Sequence, residues 1–287
     1  MPETGSKPEA DIDLVDETFD VSHSESYHLS IQTGQDRFTF CVFNTVINKY
    51  IVLRSYSIAG HDDMTGAIVP IFENDDMLRI HYKTSSHLWI SPRCTFVPGH
   101  LFEAGETETY LSFNHGAIAG EQTLSNHVKP ANLHPVFSCP ESLISILRNY
   151  QPDIRLCHHA TPFIEWITTG IASPDKKIVI YFYSCYLDIA VVHKSELLFY
   201  NTFHIHAPED AVYYLAGVSN MLDIDLTSTK IIHAGNFGEM PQEWAILRNY
   251  AASIADFEPS HTVTYSHCIQ TPIIKKFINL FNLYGCG

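Results

Sequence analysis

Between residues 176 and 206 the apolar positions gather in three runs, 178–183, 187–192 and 197–203, with breaks at Ser184 and Cys185 and at 193–196. Runs and breaks this short predict three strands joined by hairpins. Across residues 207–222 the period changes. Ala211, Leu215, Val218 and Leu222 recur at helical spacing, and Glu209 and Asp210 fall in the first turn, where the helix dipole favours anions. A strand over 230–234 follows and stops at Gly235.

The same order opens the chain. Residues 29–31, 38–43 and 50–56 read as three strands, broken at 32–37 and 45–49. A shift of about 149 residues lays Leu29 on Ile178, Phe38 on Leu187, Phe40 on Ile189 and Val42 on Val191, an internal repeat in pattern rather than in identity. Between the two units we expect a short helix over 71–82, strands near 87–90 and 94–97, and partly helical chain over 98–115. Residues 116–133 read as irregular, with Val128 and Leu133 in strands. Pro140 stands at the first position of a helix over 140–150, with Leu143, Leu147 and Tyr150 on one face. A strand over 154–157 and a helix opening at Thr161 and Pro162, stopped by Gly170, come next. Ser173, Pro174 and Asp175 mark the boundary between halves. Past Gly235 come a helix over 241–250, a strand over 253–257 and a C-terminal helix from Thr271 with Ile274, Phe277, Ile278 and Phe281 as its stripe. Elements mixed in this way predict an α/β or α+β architecture with two similar lobes.

Charge narrows the function classes. Seventeen Lys and Arg against 32 Asp and Glu, a formal net charge of −15, argue against a broad nucleic-acid or anionic-membrane surface. About half of the excess lies in the first 26 residues, where Glu3, Glu9, Asp11, Asp13, Asp16, Glu17, Asp20 and Glu25 face Lys7 alone. That segment reads as a solvated tail, or else as a partner-docking arm. The N-terminus lacks the basic and apolar regions of a secretory signal, and no apolar run reaches the roughly 18 residues of a membrane-spanning helix. Seven scattered cysteines without a C-x-x-C pair read as reduced thiols in the cytoplasm.

Four pieces carry a resemblance: LSIQTGQDRFTFCVFN, the second meander IVIYFYSCYLDIAVVHKSELLFYN, the helix PEDAVYYLAGVSNML, and the strand-turn KIIHAGNF. From about residue 27 to residue 281 the chain resembles the actin-like ATPase superfamily of actin, Hsp70 and hexokinase. Within it, the chain is similar to an uncharacterised bacterial family and to pilus-assembly and secretion relatives. The resemblance implies a duplicated, ribonuclease H-like α/β fold, with an acidic tail over 1–26, a first lobe over 27–172 and a second over 173–287.

The resemblance also implies where nucleotide would sit, and there the chain departs from the pattern. The first phosphate hairpin of active members reads Asp-x-Gly, the glycine admitting phosphate to the backbone and the carboxylate placing metal and water. Here it reads Gln32, Thr33, Gly34, with Asp36 nearby but expected to point elsewhere. The second hairpin, Tyr183 to Tyr186 with Ser184 and Cys185 between, has neither glycine nor acid. Asp188 is the nearest acid and is expected to be structural or exposed; the adenosine turn keeps Gly235 but continues with Asn236, and Gly238 follows too late to substitute. Gly34, Ser184, Gly235 and Asn236 therefore outline a vestigial cleft. Phosphoryl transfer rests on positioning and metal-borne charge, which the missing carboxylates at Gln32 and Tyr183 would have supplied.

Other chemistry is thinner. Cys157, His158 and His159 are adjacent, and His204 and His206 share one side of a strand, yet nothing nearby completes a metal set, so satisfied histidines are expected. Tyr181, Tyr183, Tyr186, Tyr213 and Tyr214 are expected to face the cleft, leaving it filled or peptide-sized. The expectation is a cytoplasmic, non-catalytic binding or assembly module with a protein partner, no nucleic acid, no membrane insertion and no cofactor. The alternative is a diverged ATP-binding or ATP-hydrolysing enzyme using Asp36 or Asp188.

Overall fold

The computed structural model describes residues 8–61, 63–170, 175–236, 241–251, 253–259 and 262–286. Residues 1–7 of the acidic segment, Ser173 and Pro174 at the expected boundary, and Gly238 lie outside them. Strands β1 (Ile12–Val15), β2 (Tyr27–Thr33), β3 (Arg37–Asn44) and β4 (Lys49–Ser57) open the chain. Helix α1 (Met64–Asn74), β5 (Thr84–Trp89) and β6 (Cys94–Pro98) lead to α2 (Thr107–His115), β7 (Glu121–Ser125) and β8 (Leu133–Pro140). The first half closes with α3 (Glu141–Tyr150), β9 (Arg155–His158) and α4 (Ala160–Gly170). The second runs β10 (Lys177–Phe182), β11 (Tyr186–His193), β12 (Glu196–His204), α5 (Pro208–Met221), β13 (Lys230–Gly235), α6 (Pro241–Tyr250) and β14 (Ser253–Asp256). A short strand β15 (Thr264–Tyr265) and helices α7 (Thr271–Lys276) and α8 (Ile278–Phe281) complete it.

The repeat predicted from the pattern is present in the sheets. Strands β4-β3-β2-β5-β9 lie in the same order as β12-β11-β10-β13-β14. Each set is an antiparallel meander followed by two parallel strands. Ile31 faces Phe40 as Ile180 faces Ile189, and the one register irregularity falls at Val42/Phe43 in one meander and Val191/Val192 in the other. The two units share even their bulge.

Helices bury the outer face of each sheet. Ile68, Phe72, Leu143 and Leu147 of α1 and α3 pack on Leu29, Phe38 and Phe40. Ala211, Leu215, Val218 and Leu247 of α5 and α6 pack on Ile178, Ile180 and Ile189. Between the two inner faces, α4, α7, α8 and the break between the last two insert Phe163, Ile167, Ile274, Phe277 and Phe281 against Leu53, Leu88, Val179 and Ala190. A third sheet, β6-β8-β7, carries α2 as an insertion in the first half.

Several expectations change. The acidic segment is not simply a solvated tail, because Ile12–Val15 pairs with β4, Leu14 opposite Leu53. Two of its described acids are held by distant cations: Asp13 accepts from Arg54 Nε at 2.9 Å, and the buried Asp16 accepts from Lys49 Nζ at 2.7 Å. Helix α1 starts at Met64 rather than at residue 71, because Asp63 caps the Thr65 N–H and Pro70 is carried within the helix. The stretch expected to be irregular contains β7, and the C-terminal helix breaks at Phe277. Strand β15 returns to pair with β4, Tyr265 opposite Tyr50, so the end of the chain crosses to the first sheet. No helix among the described residues is long and apolar enough to cross a membrane.

Candidate functional site

Because both meanders turn at the same point, the β2–β3 and β10–β11 hairpins meet between the lobes. Gly34 N–H donates to Arg37 O at 3.0 Å, and Tyr183 N–H donates to Tyr186 O at 2.9 Å, so the two turns close alike. Across the gap, Gln35 Nε2 donates to the Tyr186 hydroxyl at 2.6 Å, and Cys185 Sγ donates to Gln35 Oε1 at 3.1 Å. Ser184 Oγ donates to the Asp36 carboxylate and accepts from Asn236 Nδ2 at 3.3 Å. What remains between the hairpins is a cavity of about 20 Å³, bordered by Gln32, Gly34, Ser184 and Asn236. That is room for about one water, against the ~300 Å³ or more that ligand pockets occupy.

Of the four residues picked from the sequence, Gly34, Ser184 and Asn236 border this cavity and Gly235 does not. Gly34 is not forced by its surroundings, since a Cβ there would sit 3.5 Å from Ile90 Cδ1, an ordinary contact. Gly235 is forced, with φ +89° and a would-be Cβ 2.1 Å from Phe182 O. Strand β13 runs so close to β10 at this end that only glycine fits, and Asn236 N–H then donates to Phe182 O at 2.8 Å. The chain's own packing accounts for this glycine.

Register corrects the reading of the second hairpin. Gly34 and Tyr183 begin equivalent turns, so the position matching Gln32 is Tyr181 rather than Tyr183. Tyr181 donates its hydroxyl to Lys276 O at 2.8 Å, and the Tyr183 hydroxyl accepts from Asn279 Nδ2 at 3.0 Å. Both rings are buried and lie 4.6 Å apart. Burial, reinforced by Asp188, holds the Tyr183 phenol well above its ordinary pKa of 10. These tyrosines, with Tyr186, fill the cleft as expected. Tyr213 and Tyr214 do not, because α5 carries them to a groove over Phe199 and Phe203 on the other face of the second sheet.

Asp36 was expected to point away from the cleft and does the reverse, reaching Ser184 across it. Asp188 lies elsewhere, fully buried and bonded. Its Oδ1 accepts from Thr202 Oγ1 at 2.7 Å and from His159 Nε2 at 3.2 Å, and His159 Nε2 also lies 3.2 Å from the Tyr200 hydroxyl. Asn279 Nδ2 donates to His159 O at 2.8 Å and, as above, to Tyr183, so one amide joins the α4 end of the first lobe to the second hairpin. Sequence reasoning missed this buried network. The signals were an acid inside an apolar strand and a histidine pair at a strand end, each costly to bury without the other.

His158 is satisfied locally, Nε2 lying 2.8 Å from Ser91 O and Nδ1 accepting the Ala160 N–H at 3.2 Å; burial and the neighbouring His159 push its pKa well below 6.5. His204 and His206 stack on each other with centroids 4.3 Å apart. Among the described residues no group of three or more His, Cys, Asp or Glu is placed to hold a metal.

Comparison with known proteins agrees with the geometry. A crystal structure of a Bacteroides thetaiotaomicron protein with actin-like ATPase fold and unknown function superposes with a TM-score of 0.82 at 22% identity, covering 94% of this chain and 100% of that one. The PilM-PilN type IV pilus biogenesis complex follows at a TM-score of 0.56 and 9% identity, covering 89% of this chain and 97% of that one. At these identities the likeness shows the fold alone, and the fold is actin-like. No curated protein sequence matches the chain. Residues 16–254 match the model of DUF3822, described as a protein of unknown function, and the chain belongs to that family.

Proposed function

We propose that this chain is a pseudo-ATPase, a non-catalytic actin-like module that binds or assembles with a protein partner in the cytoplasm. The observation that carries the reading is the bonding of the two phosphate hairpins to each other, with about 20 Å³ left between them. To admit phosphate, the bonds of Gln35 to Tyr186 and of Ser184 to Asp36 have to break, each worth about 1 kcal/mol. The rings of Tyr181 and Tyr183, buried and 4.6 Å apart, also line this space. Neither Gln32 nor Tyr181 offers the carboxylate that metal placement requires. A surface carrying −15 net charge disfavours nucleic acid, and a fold relative solved together with another protein, PilM with PilN, gives a precedent for assembly.

One observation favours a second reading, an enzyme that hydrolyses ATP with Asp36 in place of the missing acids: Asp36 does lie at the cleft. Phosphate release from Mg-ATP decides between them. The pseudo-ATPase reading expects release at the no-protein background. Turnover above background that Asp36→Asn abolishes would establish the enzyme instead.

A further inference from the structure

Residues 197–204 carry neither charge nor proline, and Phe199, Tyr200, Thr202 and Phe203 favour extended chain. They make up all but the first position of β12, the outermost strand of the second sheet. Among the described residues nothing pairs with the far side of β12, which at nine residues is the longest strand at any sheet edge. Ile205 N–H donates to Cys185 O at 2.9 Å, and bonded and non-bonded pairs alternate along an antiparallel ladder. Tyr200, Thr202 and His204 therefore turn their backbone N–H and C=O groups outward, away from β11. Charges, prolines and bulges usually blunt such an edge; here the one register irregularity falls near Leu198, short of these three residues.

The internal repeat says what an edge of this kind takes. Ile58 N–H donates to Asp36 O at 2.8 Å, as Ile205 does to Cys185, which sets Leu53, Arg54 and Ser55 of β4 on Tyr200, Asn201 and Thr202 of β12. On β4 the outward groups are used. Ser55 O accepts from Asp11 N–H at 2.9 Å, and β1 lies antiparallel along the strand. All but three residues of β4 are buried, against none of β12.

We propose that β12 takes an extended segment of a partner protein as a sixth, antiparallel strand, as β4 takes β1. One difference within the repeat sets the chemistry of that segment. Arg54 meets the carboxylate of Asp13 on β1, whereas Asn201 is uncharged and stands between Phe199 and Phe203 on the face packed by α5. The partner segment therefore places an apolar side chain opposite Asn201, where a carboxylate would find no cation. The net charge of −15 favours Lys or Arg at its flanks and disfavours a second copy of this chain. The inference rests on the assembly role proposed above. It uses residues that do not line the cleft cavity, so strand addition and phosphate release fail or succeed separately.

The test measures fluorescence polarisation of two labelled synthetic peptides on the full chain. KTIDLVTK keeps the Ile12–Val15 core, and KTILLVTK carries Asp13→Leu within it. The proposal expects KTILLVTK to bind about tenfold tighter or more, with the Tyr200 and Thr202 amides gaining protection from hydrogen exchange. Methylating the peptide amides that face β12 abolishes binding. Asn201→Arg, with its melting temperature unchanged, reverses the order of the two peptides by copying the pair of Arg54 with Asp13. No binding of KTILLVTK at millimolar concentration overturns the proposal. So does binding indifferent to amide methylation, a peptide order that Asn201→Arg leaves as it was, or protection confined to residues away from β12. A dimer in sedimentation velocity that protects the same two amides would put a second copy on this edge, and overturns the proposal as well.

Discussion

Asp188 and Asp36 show how one residue type takes different roles by placement. Asp188 is fully buried, and removing it takes one acceptor from each of His159 and Thr202. Leaving buried hydrogen-bonding groups short of a partner in this way costs about 1–3 kcal/mol. Asp188→Ala should therefore shift the urea midpoint strongly, whereas Asp36→Ala, at a partly exposed hairpin tip, should cost about 1 kcal/mol. Equal effects of the two would contradict this placement. The buried histidines predict the pH response. Burial pushes His87 down to about 3, and burial with the nearby Arg155 does the same to His28. The unfolded chain takes up these protons as pH falls through about 6.5, and the folded chain declines them until about 3. Their contribution is complete above 6.5 and is lost on acidification, with a slope approaching about 1.4 kcal/mol per pH unit for each histidine. Urea midpoints measured from about pH 7 to pH 5 should fall, and His87→Gln should flatten the fall. A midpoint that rises on acidification over that window would reverse the sign and refute the assignment.

At the scale of elements, β1 converts acidic chain into an edge strand. Its ion pairs, Asp13 to Arg54 and Asp16 to Lys49, hold it on β4. Deleting residues 1–16 should uncover the β4 edge, lower the melting temperature and promote concentration-dependent aggregation, read by static light scattering. A solvated tail would be removed without effect on either. The meanders and most helices were legible because apolar runs, helical spacing and end residues such as Pro140 and Gly170 state them locally. Strand β1 was not, since its stability comes from arginine and lysine partners more than thirty residues away in sequence. Helix α1 was expected over 71–82, whereas its cap is Asp63 and Pro70 lies within it. The steric need for Gly235 was not legible locally, since it comes from the nearness of β10, a contact between segments distant in sequence.

Across the whole molecule, the two lobes are joined by a continuous core. Leu53 and Leu88 from one sheet and Val179 and Ala190 from the other meet on Phe163, Phe277 and Phe281, and Asn279 bonds both sides. Opening such an arrangement around a nucleotide exposes apolar surface as well as breaking the hairpin bonds, so the closed cleft follows from the assembly of the halves as much as from its own residues. The most direct measurement is the melting temperature with and without millimolar Mg-ATP and Mg-ADP. A ligand that binds only the folded chain raises its stability by about 2.7 kcal/mol at 100 times the dissociation constant. A closed, pseudo-ATPase cleft predicts no shift with either nucleotide. A clear rise with Mg-ATP that a bulky residue at Gly34 removes would show that nucleotide enters this cleft, and would contradict the account.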